Sequence, residues 1–253
     1  PKDENELITP ALEGTKNVLR AASEAGVKRV VVTSSVAAIL YGRDDEIDED
    51  FSFNEEHWTD VNHKNTSAYA KSKTLAEKAA WEFIEKDSSG MELSVVNPAM
   101  VFGPVLEEDY GTSVGVILEM MSGNYPMVPN MDMGIVDVRD VADLQLLAMT
   151  HPEAAGKRFV CSESNMMMKE QTDFLRDTFP EFQNKIPTRE APTWFLKLFA
   201  FLRPPLKMIA PELGKNRKLD SSRARNLLGW KPRPAKEAIK SAADSLIKFN
   251  TLS

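Results

Sequence analysis

The chain has 253 residues, 42% of them hydrophobic, which is enough apolar material for one sizeable core plus a smaller lobe and excludes a disordered chain. Its 31 basic and 38 acidic residues leave a net charge of -7, and no Lys/Arg cluster is dense enough for a phosphate backbone, so nucleic acid is excluded in favour of small-molecule partners. The single cysteine, Cys161, excludes an internal disulfide and fits a reducing, cytosolic compartment, and no apolar run reaches the roughly 18 residues of a membrane span.

In chain order, Thr9 as cap and Pro10 at the first helical position predict a helix entry. Leu12, Val18, Leu19 and Ala22 continue at helical spacing, and Gly26 closes the helix. Lys28 to Thr33 is a continuous β-branched run without a polar face, which predicts a buried parallel strand. Asp44 to Glu56 is an acidic, solvated loop. From Ser67 to about Glu85 the residues Leu75, Ala76, Ala79, Ala80 and Phe83 mark one face of a long helix. Leu93 to Pro98 and Arg158 to Cys161 have the same buried-strand character, and Val141 to Met149 is a second apolar helix. Strands alternating with helices imply an α/β class with a doubly wound, Rossmann-like parallel sheet. From about Asn165 onward the pattern changes to helices joined at prolines, including Pro180, Pro187, Pro192, Pro204, Pro205 and Pro211, a smaller and mainly helical lobe.

The chemistry-bearing pair is Tyr69 and Lys73. Four residues apart on one helix, they share a face, so the Lys73 ammonium can approach the Tyr69 phenol. A neighbouring positive charge favours phenolate and draws a tyrosine toward the working range of a proton donor. Thr33-Ser34-Ser35 ends a strand, and ligands of open parallel sheets bind at the carboxyl ends of strands, where the Ser35 hydroxyl can bond a substrate oxygen. A Tyr-x-x-x-Lys pair alone is a weak signal, and the flanking strands strengthen it. His57, His63 and His151 lack metal-ligand spacing, so no metal site is expected and capping or surface roles are. Met166 to Met168 and the stripe from Trp194 to Phe201 read as core or lobe packing.

The segments Glu13 to Leu19, Val30 to Ser35, Ser67 to Glu77, Val96 to Pro104 and Val136 to Ala142, with a late Asp220 to Trp230 segment, resemble the extended short-chain dehydrogenase/reductases, and within them the dihydroflavonol-reductase-like aldehyde and ketone reductases. The resemblance covers essentially the whole chain. It implies Tyr69 as the general acid, Lys73 as the group that tunes it and holds the nicotinamide ribose, and Ser35 on the carbonyl oxygen, with Ser34 in its place if the strand register slips by one. Asn17 resembles the helix asparagine that supports a proton-relay water. Thr33, Pro98 and Val101, with Ser113, resemble positions lining the nicotinamide, beside Tyr69 and Lys73 themselves. Met100, Phe102, Val105 and Tyr110 follow the strand end and are candidates for an apolar substrate pocket.

On this reading residues 1–164 form a partial NAD(P)-binding domain, with 103–134 contributing to the substrate lobe, and residues 165–253 form that lobe. The cofactor implied is NADP(H) in preference to NAD(H), and the substrate a small carbonyl compound. The family's Gly-x-x-Gly-x-x-Gly turn is missing; Gly111 and Gly115 are wrongly spaced and too late. About 80 to 90 residues of a family chain are therefore expected to be absent, leaving the isolated chain inactive and the strand at Arg29 to Thr33 with an open edge that invites homodimers. A sugar-nucleotide epimerase or dehydratase is the nearest rival, although dehydratases carry an Asp-Glu pair where Ser34-Ser35 stand. A non-catalytic binding protein on the same fold is the other, against which stands the retention of Ser35, Tyr69 and Lys73.

Overall fold

A computed structural model describes residues 3–43, 51–199 and 210–252. The chain divides into two compact units. The first takes the residues up to Ala99, Val141–Cys161 and Leu219–Lys231; the second takes Met100–Asp140, Ser162–Lys218 and the residues from Pro232 on. Residues 103–134 fall in the second unit with most of residues 165–253, while Leu219–Lys231 fall in the first. Residues 219–231 return to the first unit because Leu219 forms a parallel bridge to Phe53 and the Asp220 amide donates to the Phe53 carbonyl at 2.8 Å.

The first unit is built on a parallel sheet of β1 (Arg29–Thr33), β2 (Glu92–Pro98) and β6 (Lys157–Cys161), in the order β1-β2-β6. Register runs from Arg29 opposite Glu92 to Thr33 opposite Val96, and from Ser94 opposite Lys157 to Pro98 opposite Cys161. The central strand β2 is buried at every position after Glu92, as its apolar run predicts. The end strand β1 is only half-buried and its Thr33 is exposed, which corrects the expectation of full burial: among the described residues only β2 pairs with it.

Helices α1 (Asn5–Glu24) and α2 (Ala68–Lys86) pack together, and Leu19 and Ala80 meet Leu93 and Val95 of β2. Gly26 ends α1 as expected, with φ +69° and its amide on the Ser23 carbonyl at 3.0 Å. The start of α1 differs. Asp3 accepts the Asn5 amide at 3.0 Å and the Glu4 carbonyl takes the amides of Leu7 and Ile8, so the helix opens before Thr9 and places Pro10 inside it. Arg29 of β1 ties the sheet to α4 (Val138–Thr150), donating to the carbonyls of Ala148, Met149 and His151 at 2.7 to 3.1 Å while pairing with Glu92. A cation on the last carbonyls satisfies groups the helix itself leaves open.

The second unit contains β3 (Met100–Phe102) parallel to β5 (Asp132–Asp137), β5 antiparallel to β7 (Ser164–Met167), and β4 (Met127–Pro129) parallel to β8 (Arg189–Ala191). Its helices are α3 (Thr112–Met121), α5 (Met168–Thr178), α6 (Thr193–Phe199) and α8 (Ala235–Lys248); α7 (Ser222–Leu228) belongs to the first unit. Phe102, Ile117, Met121, Ile135, Leu175 and Ile239 are among its core residues. Met168 joins that core and Met166 packs against it, as the sequence predicts. Trp194 does not: it is 69% exposed, and among the described residues of its stripe only Leu196 is buried, packed with Ala191 and Leu213. Phe201, Pro204, Pro205 and residues 44–50 of the acidic loop lie outside the described residues.

Candidate active site

Strand β1 delivers two adjacent hydroxyls with different fates. The Ser34 amide continues the ladder onto the Val96 carbonyl at 2.8 Å, and its buried hydroxyl donates to Glu77 Oε2 at 2.5 Å. Ser35 is extended (φ -163°, ψ 154°) and starts a short 3₁₀ turn over Val36–Ala38, its Oγ accepting the Ala37 amide at 3.1 Å. The Ser34 hydroxyl is therefore committed to the interior, whereas the Ser35 oxygen sits at a half-buried strand end and keeps its proton to donate.

Helix α2 begins where Ser67 Oγ accepts the Ala70 amide at 3.2 Å, an N-cap that directs the first turn and with it Tyr69. The Tyr69 side chain is 49% exposed, unusual for a large aromatic on a packed helix. One turn on, Lys73 Nζ lies 6.0 Å from the Tyr69 ring centroid and has no carboxylate partner among the described residues. A half-exposed phenol beside an ammonium without a counterion is the donor set that ribose hydroxyls and a carbonyl oxygen require, so these residues fit the nicotinamide end of a coenzyme.

Asn17 is exposed on α1 and accepts from Arg20 at 3.2 Å. Thr33 Oγ1 accepts the Gln145 amide of α4 at 2.6 Å, and Pro98 is buried at the end of β2. These belong to the same unit as Ser35, Tyr69 and Lys73. Met100, Val101, Phe102, Val105, Tyr110 and Ser113 belong to the second unit. There Phe102 is 1% exposed in the core, so its ring packs against the protein instead of walling a pocket; Met100, Val105 and Tyr110 pack half-buried around the same core. His63 and His151 accept backbone amides of Asn65 and Glu153, in keeping with the capping roles expected of them.

Sequence reasoning assigned no role to the buried polar network behind this site. Glu77, two turns beyond Tyr69, accepts Ser34 and the Asn97 amide on Oε2 and Arg158 Nε on Oε1 at 2.5 Å. Arg158 also donates to the carbonyls of Glu55 and His57 and stacks on Trp58, its guanidinium carbon 3.7 Å from the ring centroid. Asn97 reaches the Ser35 carbonyl at 3.2 Å. Burial pushes the Glu55 carboxyl up, against the Val160 amide and the Arg223 charge that favour its ionised form. The signal was present as polar residues inside apolar runs: Asn97 within β2, Arg158 within β6 and Glu77 on the packed face of α2.

Residues 1–162 match the NAD dependent epimerase/dehydratase family. The NADPH-dependent methylglyoxal reductase of Saccharomyces cerevisiae is 33% identical over 262 residues, covering 97% of this chain and 72% of the relative. Cinnamoyl-CoA reductase 1 of Petunia hybrida is 39% identical over 189 residues, 74% of this chain and 55% of the relative. The crystal structure of yeast methylglyoxal/isovaleraldehyde reductase Gre2 complexed with NADPH superposes with a TM-score of 0.81 at 33% identity, covering 98% of this chain and 73% of that one.

Proposed function

We propose, from the premise that this chain belongs to the NAD dependent epimerase/dehydratase family, that it reduces an aldehyde, a ketone or a dihydroflavonol-like carbonyl with NADPH, Tyr69 serving as general acid. The family's NADPH-dependent reductases make it an oxidoreductase of the extended short-chain dehydrogenase/reductase type with NADP(H) as its coenzyme. The observation that carries the reading is the Tyr69 phenol standing half-exposed with the uncompensated Lys73 ammonium one helical turn away.

When bound, the coenzyme supplies the hydride. The chain's own residues do the rest. Ser35 offers a hydrogen bond from its hydroxyl to the substrate oxygen and keeps its own proton, with its oxygen oriented by the Ala37 amide. Tyr69 donates the proton that the oxygen acquires as hydride reaches carbon, and Lys73 holds a positive charge beside the phenolate left behind and binds ribose hydroxyls. In this reading Thr33 and Pro98 of the first unit would line the nicotinamide, and Asn17 of the same unit would support proton return. Weak coenzyme retention belongs to the same proposal, because the sequence holds no Gly-x-x-Gly-x-x-Gly turn for the pyrophosphate. So do a cytosolic location and the pairing of two copies along β1. Among the described residues no helix is long and apolar enough to cross a membrane.

The test is NADPH oxidation with a panel of aromatic and aliphatic aldehydes, with NADPH raised until the rate saturates. Tyr69→Phe is expected to lower kcat by about 10²- to 10⁴-fold, the usual worth of a positioned general acid. Turnover that survives Tyr69→Phe would refute the assignment. Interconversion of a sugar nucleotide without net NADPH consumption would favour the epimerase reading instead.

A further inference from the structure

We infer that Glu77 is a positioning residue of this active site: it pins the strand end bearing Ser35 to the helix bearing Tyr69 and Lys73. The inference rests on the reductase reading for its catalytic meaning and on geometry for its substance. Tyr69, Lys73 and Glu77 are spaced by four, so they follow one another along a single face of α2. The first is exposed and the third is buried. The helix therefore presents its chemistry at one end of this face and anchors it at the other.

The anchor reaches both strands that flank the site. Glu77 Oε2 takes the Ser34 hydroxyl at 2.5 Å from the end of β1 and the Asn97 amide at 2.8 Å from β2, while Oε1 takes Arg158 from β6. The same Asn97 amide donates to the Ser35 carbonyl at 3.2 Å. Ser35 is thus held from both sides: through Ser34 directly before it, and through its own carbonyl. Among the described residues the Ser35 hydroxyl meets the backbone only at Ala37, so its direction follows the peptide that Glu77 and Asn97 hold.

A carboxylate is the group this node requires, because three donors converge on it, the Arg158 guanidinium cannot accept, and the Asn97 amide cannot turn to accept without losing the Ser35 carbonyl. Glutamine offers one acceptor oxygen and turns an N–H toward a donor. Glu77→Gln keeps the volume and removes at least one of the three contacts. The Asn97→Ala variant cuts the link to the Ser35 carbonyl and leaves the Glu77–Arg158 ion pair in place.

Two readouts on the full chain separate positioning from general stability. The first is amide hydrogen exchange, which needs neither coenzyme nor turnover. In Glu77→Gln and in Asn97→Ala the Ala37 amide is expected to exchange about tenfold faster, while amides of α2 between Thr74 and Phe83 keep their protection. Unchanged exchange at Ala37, or acceleration in step with α2, would overturn the inference. The second is a mutant cycle on kcat. Glu77→Gln is expected to lower kcat about tenfold or more with little change in KM for the carbonyl, and to cost less than about threefold once Ser35 is alanine. Two factors that multiply would show that Glu77 does not act through Ser35. Should Glu77→Gln fail to fold, Asn97→Ala decides by the same readouts. A wild-type chain without reductase turnover sinks the reductase reading alone, and the exchange arm still decides whether Glu77 places Ser35.

Discussion

Replacing Arg158 with methionine puts the buried network to its most direct energetic test. The Arg158 side chain is 7% exposed and the Glu77 side chain fully buried, so the substitution strands a carboxylate in the interior without its counterion. Breaking one partner of a buried pair costs about 3 to 5 kcal/mol. The carbonyls of Glu55 and His57 lose their donors as well, at about 1 to 3 kcal/mol each where no water replaces them, and these costs overlap with the first. Methionine fills the volume of the arginine stem and keeps apolar contact with Trp58, so no large cavity term is added. The expected loss of about 3 to 5 kcal/mol is about a fifth or more of the stability of an ordinary domain, and at about 2 to 4 °C per kcal/mol it lowers the melting midpoint by roughly 6 to 20 °C. The decisive comparison is the pair Arg158→Met with Glu77→Gln. With no charge left to strand, the double variant is expected to recover about 2 kcal/mol relative to Arg158→Met alone, read by urea unfolding followed by circular dichroism. A single variant that loses less than about 1 kcal/mol, or a double variant less stable than the single, would refute the claim that the ion pair is buried and mutually required.

Three further expectations follow from local geometry. Gly103 has φ +120°, and a Cβ there would lie 2.9 Å from Val138 Cγ1 and 3.0 Å from Asp137 Oδ1, so Gly103→Ala is expected to cost about 1 to 3 kcal/mol in urea unfolding. Ser67→Ala removes the N-cap of α2 and is expected to cost about 1 kcal/mol, with a larger proportional loss in kcat than in KM because the first turn carries Tyr69. Burial pushes the Asp137 carboxyl up, but two side-chain hydrogen bonds, the backbone amide and the charge of Arg139 outweigh it and hold the carboxyl below its ordinary range. A depressed acid contributes stability above its unfolded-state value and loses it as pH falls through the folded one. The gap in thermal midpoint between the wild type and Asp137→Asn is therefore expected to be widest near neutrality and to close on acidification, and a gap that widens in acid would refute the sign.

The parts of the fold legible in the sequence are those where one local signal suffices. Helix α2 announces itself through Ser67 and an apolar face at helical spacing, and β2 through an unbroken apolar run that only a central strand can bury. Helix α1 was legible in existence and in its end at Gly26. Its start was not, because Thr9-Pro10 is a stronger local entry signal than Asp3, and a proline in the second turn removes one backbone bond that the packed helix tolerates. Strands β4 and β8 are three residues long, too short for alternation to show, and each exists only because the other pairs with it. The interleaving of the units is likewise a property of contacts between Phe53 and Leu219, far apart in the chain.

The site divides along the same line. The adjacency of Tyr69 and Lys73 was legible because a helix converts a spacing of four into neighbourhood without help from the rest of the chain. Which of Ser34 and Ser35 turns its hydroxyl inward was not, since a strand turns successive side chains to opposite faces and a slip of one residue exchanges them. What selects between them is Glu77, which takes the Ser34 hydroxyl into the interior and leaves Ser35 at the surface of the sheet end. Asn97, Arg158 and Glu77 each look anomalous alone, a polar group where burial demands apolar ones. A buried polar side chain must find a partner, and three of them on separate elements of one unit can satisfy one another only if those elements meet. Such intrusions in a sequence are therefore evidence about tertiary structure, and in this chain they converge one turn beyond Lys73 on the face of α2 that also carries Tyr69.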